Sequence, residues 1–246
     1  MEDFNKKVRQ VINFFIAIFI FALIVTIICL IMLKYDVEGE NNMPFELSQL
    51  VVVSTAEGIN IEGESTWNLE LVQNNDVYLH ISKNKNYKET EIIKNIKIDN
   101  FKIKNMNKGK ITIYKQSKDE NKMYEYLDEY IIKDNLNFQG SEKTNTKELQ
   151  ISNQGGVVSF RICNKNLGKY STDDEEIKHD GTILAKAGLG YDDIRFKVSF
   201  DLTIELVSGT KYTGTILLDL PTENIIQAGT TNIEKTDFSD VVFKRN

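Results

Sequence analysis

The sequence predicts an all-β protein behind one membrane-spanning helix: an antiparallel two-layer β-sandwich, jelly-roll-like, following an N-terminal anchor. Residues Val11–Leu33 carry no formal charge, and residues 194–206 alternate apolar and polar side chains without a break. About ten to twelve strands, nearly all antiparallel, fill the roughly 200 residues after the anchor, and strands of this length suit a sandwich better than a small barrel.

The anchor comes first. Twenty-three residues from Val11 to Leu33 span about 34 Å as a helix, against a hydrocarbon core of roughly 30 Å. Asn13 and Thr26 are its only strongly polar residues, and Ile16–Val25 lacks the polar stripe of a soluble core helix. In lipid such a helix satisfies its own backbone. Lys6, Lys7 and Arg9 precede it, whereas Asp36, Glu38 and Glu40 follow Lys34, so residues 1–10 are expected inside the cytoplasm and the rest outside. A cleaved signal peptide has a shorter apolar region and a small-residue cleavage site. Here Ala17 and Ala22 lie mid-segment, with no further alanine before Ala56. Lipidation at Cys29 would want a small residue where Ile28 stands, and Lys7–Gln10 lacks the Gly or Ala of a prepilin leader. The expectation is an uncleaved signal-anchor that meets the lipid bilayer through Val11–Leu33. A short polar stalk over 34–43 and one domain over 44–246 complete it.

Composition narrows the surroundings. The 246 residues are 41% hydrophobic and 27% charged, ordinary for a globular chain, with a net charge of −6. Setting aside Glu2, Asp3, Lys6, Lys7 and Arg9, 27 basic and 34 acidic residues lie beyond Leu33. That balance speaks against nucleic acid as a partner. The 24 asparagines form no Asn-x-Ser/Thr triplet, and Cys163 is the one thiol beyond the anchor. Without glycan acceptors or a possible intrachain disulfide, a bacterial envelope suits the domain better than a eukaryotic cell surface.

The strands are read from period-two alternation. Ile194, Phe196, Val198, Phe200, Leu202, Ile204 and Leu206 share one face, and Tyr212, Gly214, Ile216, Leu218 and Leu220 repeat it after the Ser208–Gly209 turn. The two runs form a long hairpin that Pro221 ends. A second hairpin is expected about Asn74–Asn75–Asp76, with Trp67, Leu69 and Leu71 opposite Ile81, Leu79 and Val77 and all six in the core. Further strands are expected at Leu50–Ser54, Ile92–Ile98, Phe101–Lys104, Lys110–Gln116, Tyr130–Lys133, Leu149–Ser152 and Val157–Cys163. A bulge or tight turn is expected at Asp99–Asn100, where the apolar parity shifts by one. Ser117 and Glu120 resemble a capping box, and Met123, Leu127 and Ile131 recur every four residues, so 118–127 is expected to be helical. Gly140–Lys147 reads as a surface loop.

Chemistry-bearing residues are few. His80 points off an apolar strand face, and His179–Asp180–Gly181 carries a turn signature as well as a possible base. No Gly-x-Ser-x-Gly elbow exists, and two histidines with one thiol are too sparse for a structural zinc site. Cys163 alternates with Arg161 and Ser159, away from the apolar row. Gly188–Leu189–Gly190 and Gln154–Gly155–Gly156 precede strands, not helices, and so are not phosphate loops. Asp173, Asp174, Glu175, Glu176 and Asp180 form the densest acidic region, a weak Ca²⁺ candidate without the ligand ladder of an EF-hand. Otherwise no cofactor is expected. Tyr114, Tyr124, Tyr126 and Tyr130 cluster in sequence and are the candidate ligand surface. The leading expectation is a non-enzymatic interaction or scaffold protein on the cytoplasmic membrane, docking another envelope protein or a wall component. A cell-wall glycan-binding module using the tyrosines is one alternative. A metal-assisted hydrolase around His179 is the other.

Overall fold

The computed structural model describes residues 2–40, 42–61, 67–119, 121–143, 149–172 and 182–246, in two compact units, 1–41 and 42–246. The first is one helix, α1 (Glu2–Glu38). Its stretch Val11–Asp36 is long and apolar enough to cross a membrane, and none of it is buried. Thr26 donates its hydroxyl to the Ala22 carbonyl at 2.8 Å and so satisfies it within the helix. The helix does not stop with the apolar run: Lys34 and Glu38 pair along it at 3.6 Å, and the stalk expected over 34–43 is helical as far as Glu38. Gly39 ends it. At φ 71° this residue takes the left-handed position after the helix, and its N–H bonds the Tyr35 carbonyl at 2.8 Å.

The second unit is a two-layer sandwich. One sheet holds β1 (Phe45–Asn60), β2 (Trp67–Lys83), β4 (Lys110–Tyr114), β7 (Gly156–Lys165), β8 (Lys169–Thr172) and β11 (Thr230–Lys235), in the order β11-β1-β2-β7-β4 with β8 also on β2. The other holds β3 (Ile93–Lys104), β5 (Leu136–Ser141), β6 (Gln150–Ser152), β9 (Phe196–Leu206), β10 (Lys211–Leu220) and β12 (Lys244–Arg245), in the order β12-β10-β9-β3-β5-β6. All pairs are antiparallel except β5 with β6. As in a jelly roll, the chain passes repeatedly from one layer to the other.

The expected long hairpin is β9–β10: Tyr212 faces Ile204, Ile216 faces Phe200 and Leu220 faces Phe196, so both apolar rows turn inward. Against them the first sheet sets Phe45, Leu50, Val52, Val77, Leu79 and Phe160. Phe160, Phe200 and Phe101 stitch the layers together, ring centres 5.3 to 5.7 Å apart. The expected bulge in β3 falls between Asp99 and Lys102, with Asn100 at φ 53°. A smaller core of Leu69, Leu71, Ile183, Leu184, Ile194 and Ile225 forms against the short helices α2 (Ile183–Lys186), α3 (Tyr191–Ile194) and α4 (Ile225–Ala228). Two expectations change here: Ile194 belongs to α3 rather than to the strand that follows, and Gly188–Leu189–Gly190 precedes this single-turn helix directly rather than a strand.

Four further expectations are corrected. There is no hairpin at Asn74–Asp76: β2 is one 17-residue strand, and β7 pairs with it straight through that point, from Gln73–Asn164 to Ile81–Gly156. Trp67, at the start of β2, is 39% exposed rather than in the core. The described part of 118–127 is loop, followed by one 3₁₀ turn at Asp128–Tyr130, which replaces the start of the strand expected at 130–133. Glu120 lies outside the described residues. Ser117 binds elsewhere, accepting from the Asp119 N–H and donating to Glu125.

Candidate functional site

The polar run Gln73–Asn74–Asn75–Asp76 is buried in the middle of β2, and strand alternation sends it to both faces of the sheet. Gln73 and Asn75 point inward. Asn75 accepts from Ser54 Oγ at 2.7 Å and from Gln73 Nε2 at 2.8 Å, and it donates to Gln73 Oε1 at 3.0 Å and to the Ile162 carbonyl at 3.2 Å. Ser54 Oγ in turn accepts from the Thr222 N–H at 2.9 Å. On β2 this polar band separates the residues of the main core, from Val77 onward, from Leu69 and Leu71 of the smaller one.

Asn74 and Asp76 point to the outer face, where the chain after β4 returns over the sheet. Arg161, on β7 opposite Asp76, grips its carboxylate twice: Nε to Oδ1 at 2.6 Å and Nη2 to Oδ2 at 2.9 Å. The two side chains are only 14% and 13% exposed. Tyr126 Oη is the centre of the cluster, accepting from Asn74 Nδ2 at 2.7 Å and from Arg161 Nη1 at 3.3 Å and donating to Glu57 at 2.9 Å. Tyr124 Oη donates to Ser159 Oγ at 3.0 Å. The Arg161 guanidinium lies 4.7 Å from the Tyr124 ring centre, and the Lys165 ammonium lies 5.0 and 5.1 Å from those of Tyr114 and Tyr126. Below them Cys163 is fully buried with Val72, Tyr114, Tyr124 and Tyr130. Two buried polar atoms here, Asn74 Oδ1 and Tyr114 Oη, have no hydrogen-bond partner among the described residues.

Burial governs the electrostatics. It pushes the Cys163 thiol up to about 12 against the opposing charges of Lys165 and Arg161, so the nucleophilic thiolate is suppressed near neutrality. Burial likewise raises Tyr124 and Tyr126, with Glu57 adding to the rise at Tyr126. At Arg161 burial is the largest single influence and opposes the charge, but the hydrogen bonds and charge of Asp76, with Tyr126 and Glu57 adding, together outweigh it and hold the guanidinium above its ordinary value. The arrangement ties a loop to a sheet through charge and aromatic faces.

The four sequence-predicted tyrosines do converge, but inward. Tyr114, Tyr124 and Tyr130 are 0%, 8% and 5% exposed, and Tyr126 is half-buried, so the expected stacking surface is a buried cluster. His80 is half-buried on the outer face of β2, as its alternation required. Asp173, Asp174, Glu175, Glu176, His179 and Asp180 lie outside the described residues. Among those described, no group of three or more His, Cys, Asp or Glu is placed to hold a metal ion. Sequence reasoning missed the Asp76–Arg161 pair, Glu57 and Lys165. The available signal was the opposed parity of Ser159, Arg161 and Cys163, which marks an outer face carrying an arginine beside a thiol. No protein-family profile, curated protein or solved structure matches this chain.

Proposed function

We propose that this chain is a membrane-anchored, non-enzymatic interaction protein of a bacterial envelope. Its sandwich lies outside the cytoplasmic membrane and binds an extended segment of another envelope protein along β10. The observation that carries this reading is the bare edge of β10. β12 pairs only with Tyr212 and Thr213, which leaves Gly214–Leu220 without a strand on that side among the described residues. Natural edges are usually blunted by proline, lysine or a bulge. Gly214–Leu220 has none of these, its register on β9 is unbroken, and Leu217 stands 59% exposed on its outer row. The other edges offer less: β6 is three residues long, β4 is bridged by Ile131, and β11 is polar. Strand addition draws affinity from the backbone and specificity from alternate side chains. The anchor fits the same reading, since tethering raises the effective concentration of domain and partner.

The test is photo-crosslinking in cells from Thr215, with Lys102 on the other edge region of the same sheet as control. The expected outcome is a discrete protein adduct at Thr215 only, lost when Leu217→Lys places a charge on the edge, while the melting temperature moves by less than about 2 °C. Adducts that survive Leu217→Lys, or that form equally at Lys102, overturn the strand-addition reading. Protease added to intact protoplasts is expected to remove the sandwich, and a shielded domain overturns the orientation.

A further inference from the structure

We propose that Tyr124–Tyr130 is a lid that lifts from the outer face of the β1–β2–β7 sheet as a unit while the sandwich stays folded. The inference is independent of the β10 edge. It starts from how this segment is attached. From Tyr124 to Glu129 no backbone group bonds a strand among the described residues; the backbone bonds within the segment are local, Tyr130 N–H to Leu127 and Ile131 N–H to Asp128. Ladder-like contact resumes only at its far end, where Lys115 N–H bonds the Tyr130 carbonyl at 2.9 Å and Ile132 N–H bonds that of Ile113 at 2.8 Å. At the near end Ser117 N–H bonds the Met123 carbonyl at 2.8 Å and fixes the base of the loop. Between these two hinges side chains hold the segment: Tyr124 to Ser159, Glu125 to Ser117 and Lys122, Tyr126 to Glu57, Asn74 and Arg161, and Tyr130 Oη to the Lys118 N–H, with the Tyr124 and Tyr126 rings on the Arg161 guanidinium and that of Tyr126 also on Lys165.

The chemistry of that attachment favours opening. Closing the lid removes water from Arg161, Asp76 and Glu57, and desolvating an ion pair offsets much of the attraction it gains. Lifting it returns those charges to water and costs the burial of Tyr124 and Tyr130, while the β2–β7 ladder and the inner core are untouched. Leu127, Asp128 and Glu129 are already exposed in the closed state. Segments with few backbone ties to their neighbours come from the low-stability end of a fold. The opened floor presents the Arg161–Asp76 pair and Lys165 beside one another on a rigid sheet. Cys163 is the reporter of this motion, because Tyr124 and Tyr130 are among the side chains that bury it.

The test uses the full chain in detergent micelles with Cys29→Ser, so that Cys163 is the only thiol, and follows its reaction with an aromatic disulfide reagent across urea concentrations. The expected result is slow labelling without urea, nearly independent of urea until the global transition and steep only there. Hydrogen exchange under the same conditions is expected to show β2 and β7 protected. Tyr126→Phe removes the hydroxyl that three groups share and is expected to speed labelling without urea by about tenfold. The lid is overturned if labelling follows the steep global urea dependence at every concentration, or if β2 and β7 lose protection in step with the thiol. It is equally overturned if Cys163 reacts in the unsubstituted lid as fast as a free thiol, or if Tyr126→Phe leaves the rate unchanged.

Discussion

Arg161 shows why a buried charge is weak evidence for stability yet hard to remove. Its bidentate grip on Asp76 recovers energy spent on desolvating both groups, so the pair is close to neutral as a pair and costly when broken. Asp76→Asn leaves the guanidinium buried against an uncharged amide and is expected to destabilise the domain by about 3 kcal/mol, or roughly 6–12 °C in melting temperature. Adding Arg161→Met to Asp76→Asn is expected to recover more than half of that loss, and thermal unfolding of the two variants decides it. Cys163 makes a second prediction. The unfolded chain releases this proton near its ordinary value of 9.0 and the folded chain only at about 12, so between those values the folded state holds more protons. Stability therefore stays level below pH 9 and falls as pH rises through the window, by at most about 4 kcal/mol from this group. Urea unfolding between pH 8 and 11 is expected to show that fall, and Cys163→Ala to make it shallower.

At the scale of the element, alternation read from sequence fixes which residues share a face and leaves open which strands exist. For β2 the same odd-numbered residues, Leu69, Leu71, Val77, Leu79 and Ile81, share a face whether Asn74–Asp76 is a turn or the middle of a strand. Local turn chemistry favoured the hairpin. Burial against β7 and the partners found by Gln73, Asn74, Asn75 and Asp76 favoured one strand, and tertiary pairing won. The clustering of tyrosines was legible in sequence for the same reason that their direction was not: spacing brings them near each other without saying which way the loop folds. The β9–β10 hairpin and the β3 bulge were legible because a solvated outer face enforces alternation. β5 was missed because its apolar pattern is short, and its last turn of chain is set by a backbone contact rather than a side chain. At Gly140 an added Cβ would lie 2.0 Å from the Ile93 carbonyl oxygen. Gly140→Ala is expected to push β5 off β3 and to lower stability by about 2 kcal/mol or more, measured by urea unfolding. A neutral Gly140→Ala would show that this edge of the sheet moves freely.

At the scale of the whole molecule the two units present different surfaces. Along α1 from Val11 to Leu33 every side chain is exposed, an apolar surface that water does not tolerate and a bilayer does. Composition alone makes such a segment legible, because lipid asks only for length and the absence of charge. The sandwich was legible only in outline, since its core depends on long-range pairings that no local window contains. That core is closed within residues 42–246: Met43, Phe45 and Leu47 at its entry pack with Ile81, Leu206 and Phe243 in the same cluster. The helix is therefore expected to leave the stability of that core unchanged. The chain shortened to 42–246 is expected to be soluble without detergent and to melt within about 2 °C of the sandwich in the full-length protein, followed by near-ultraviolet circular dichroism. A drop of about 10 °C, or a loss of the cooperative transition, would mean that part of the core is completed by the helix. The separation of tether and fold would then fail.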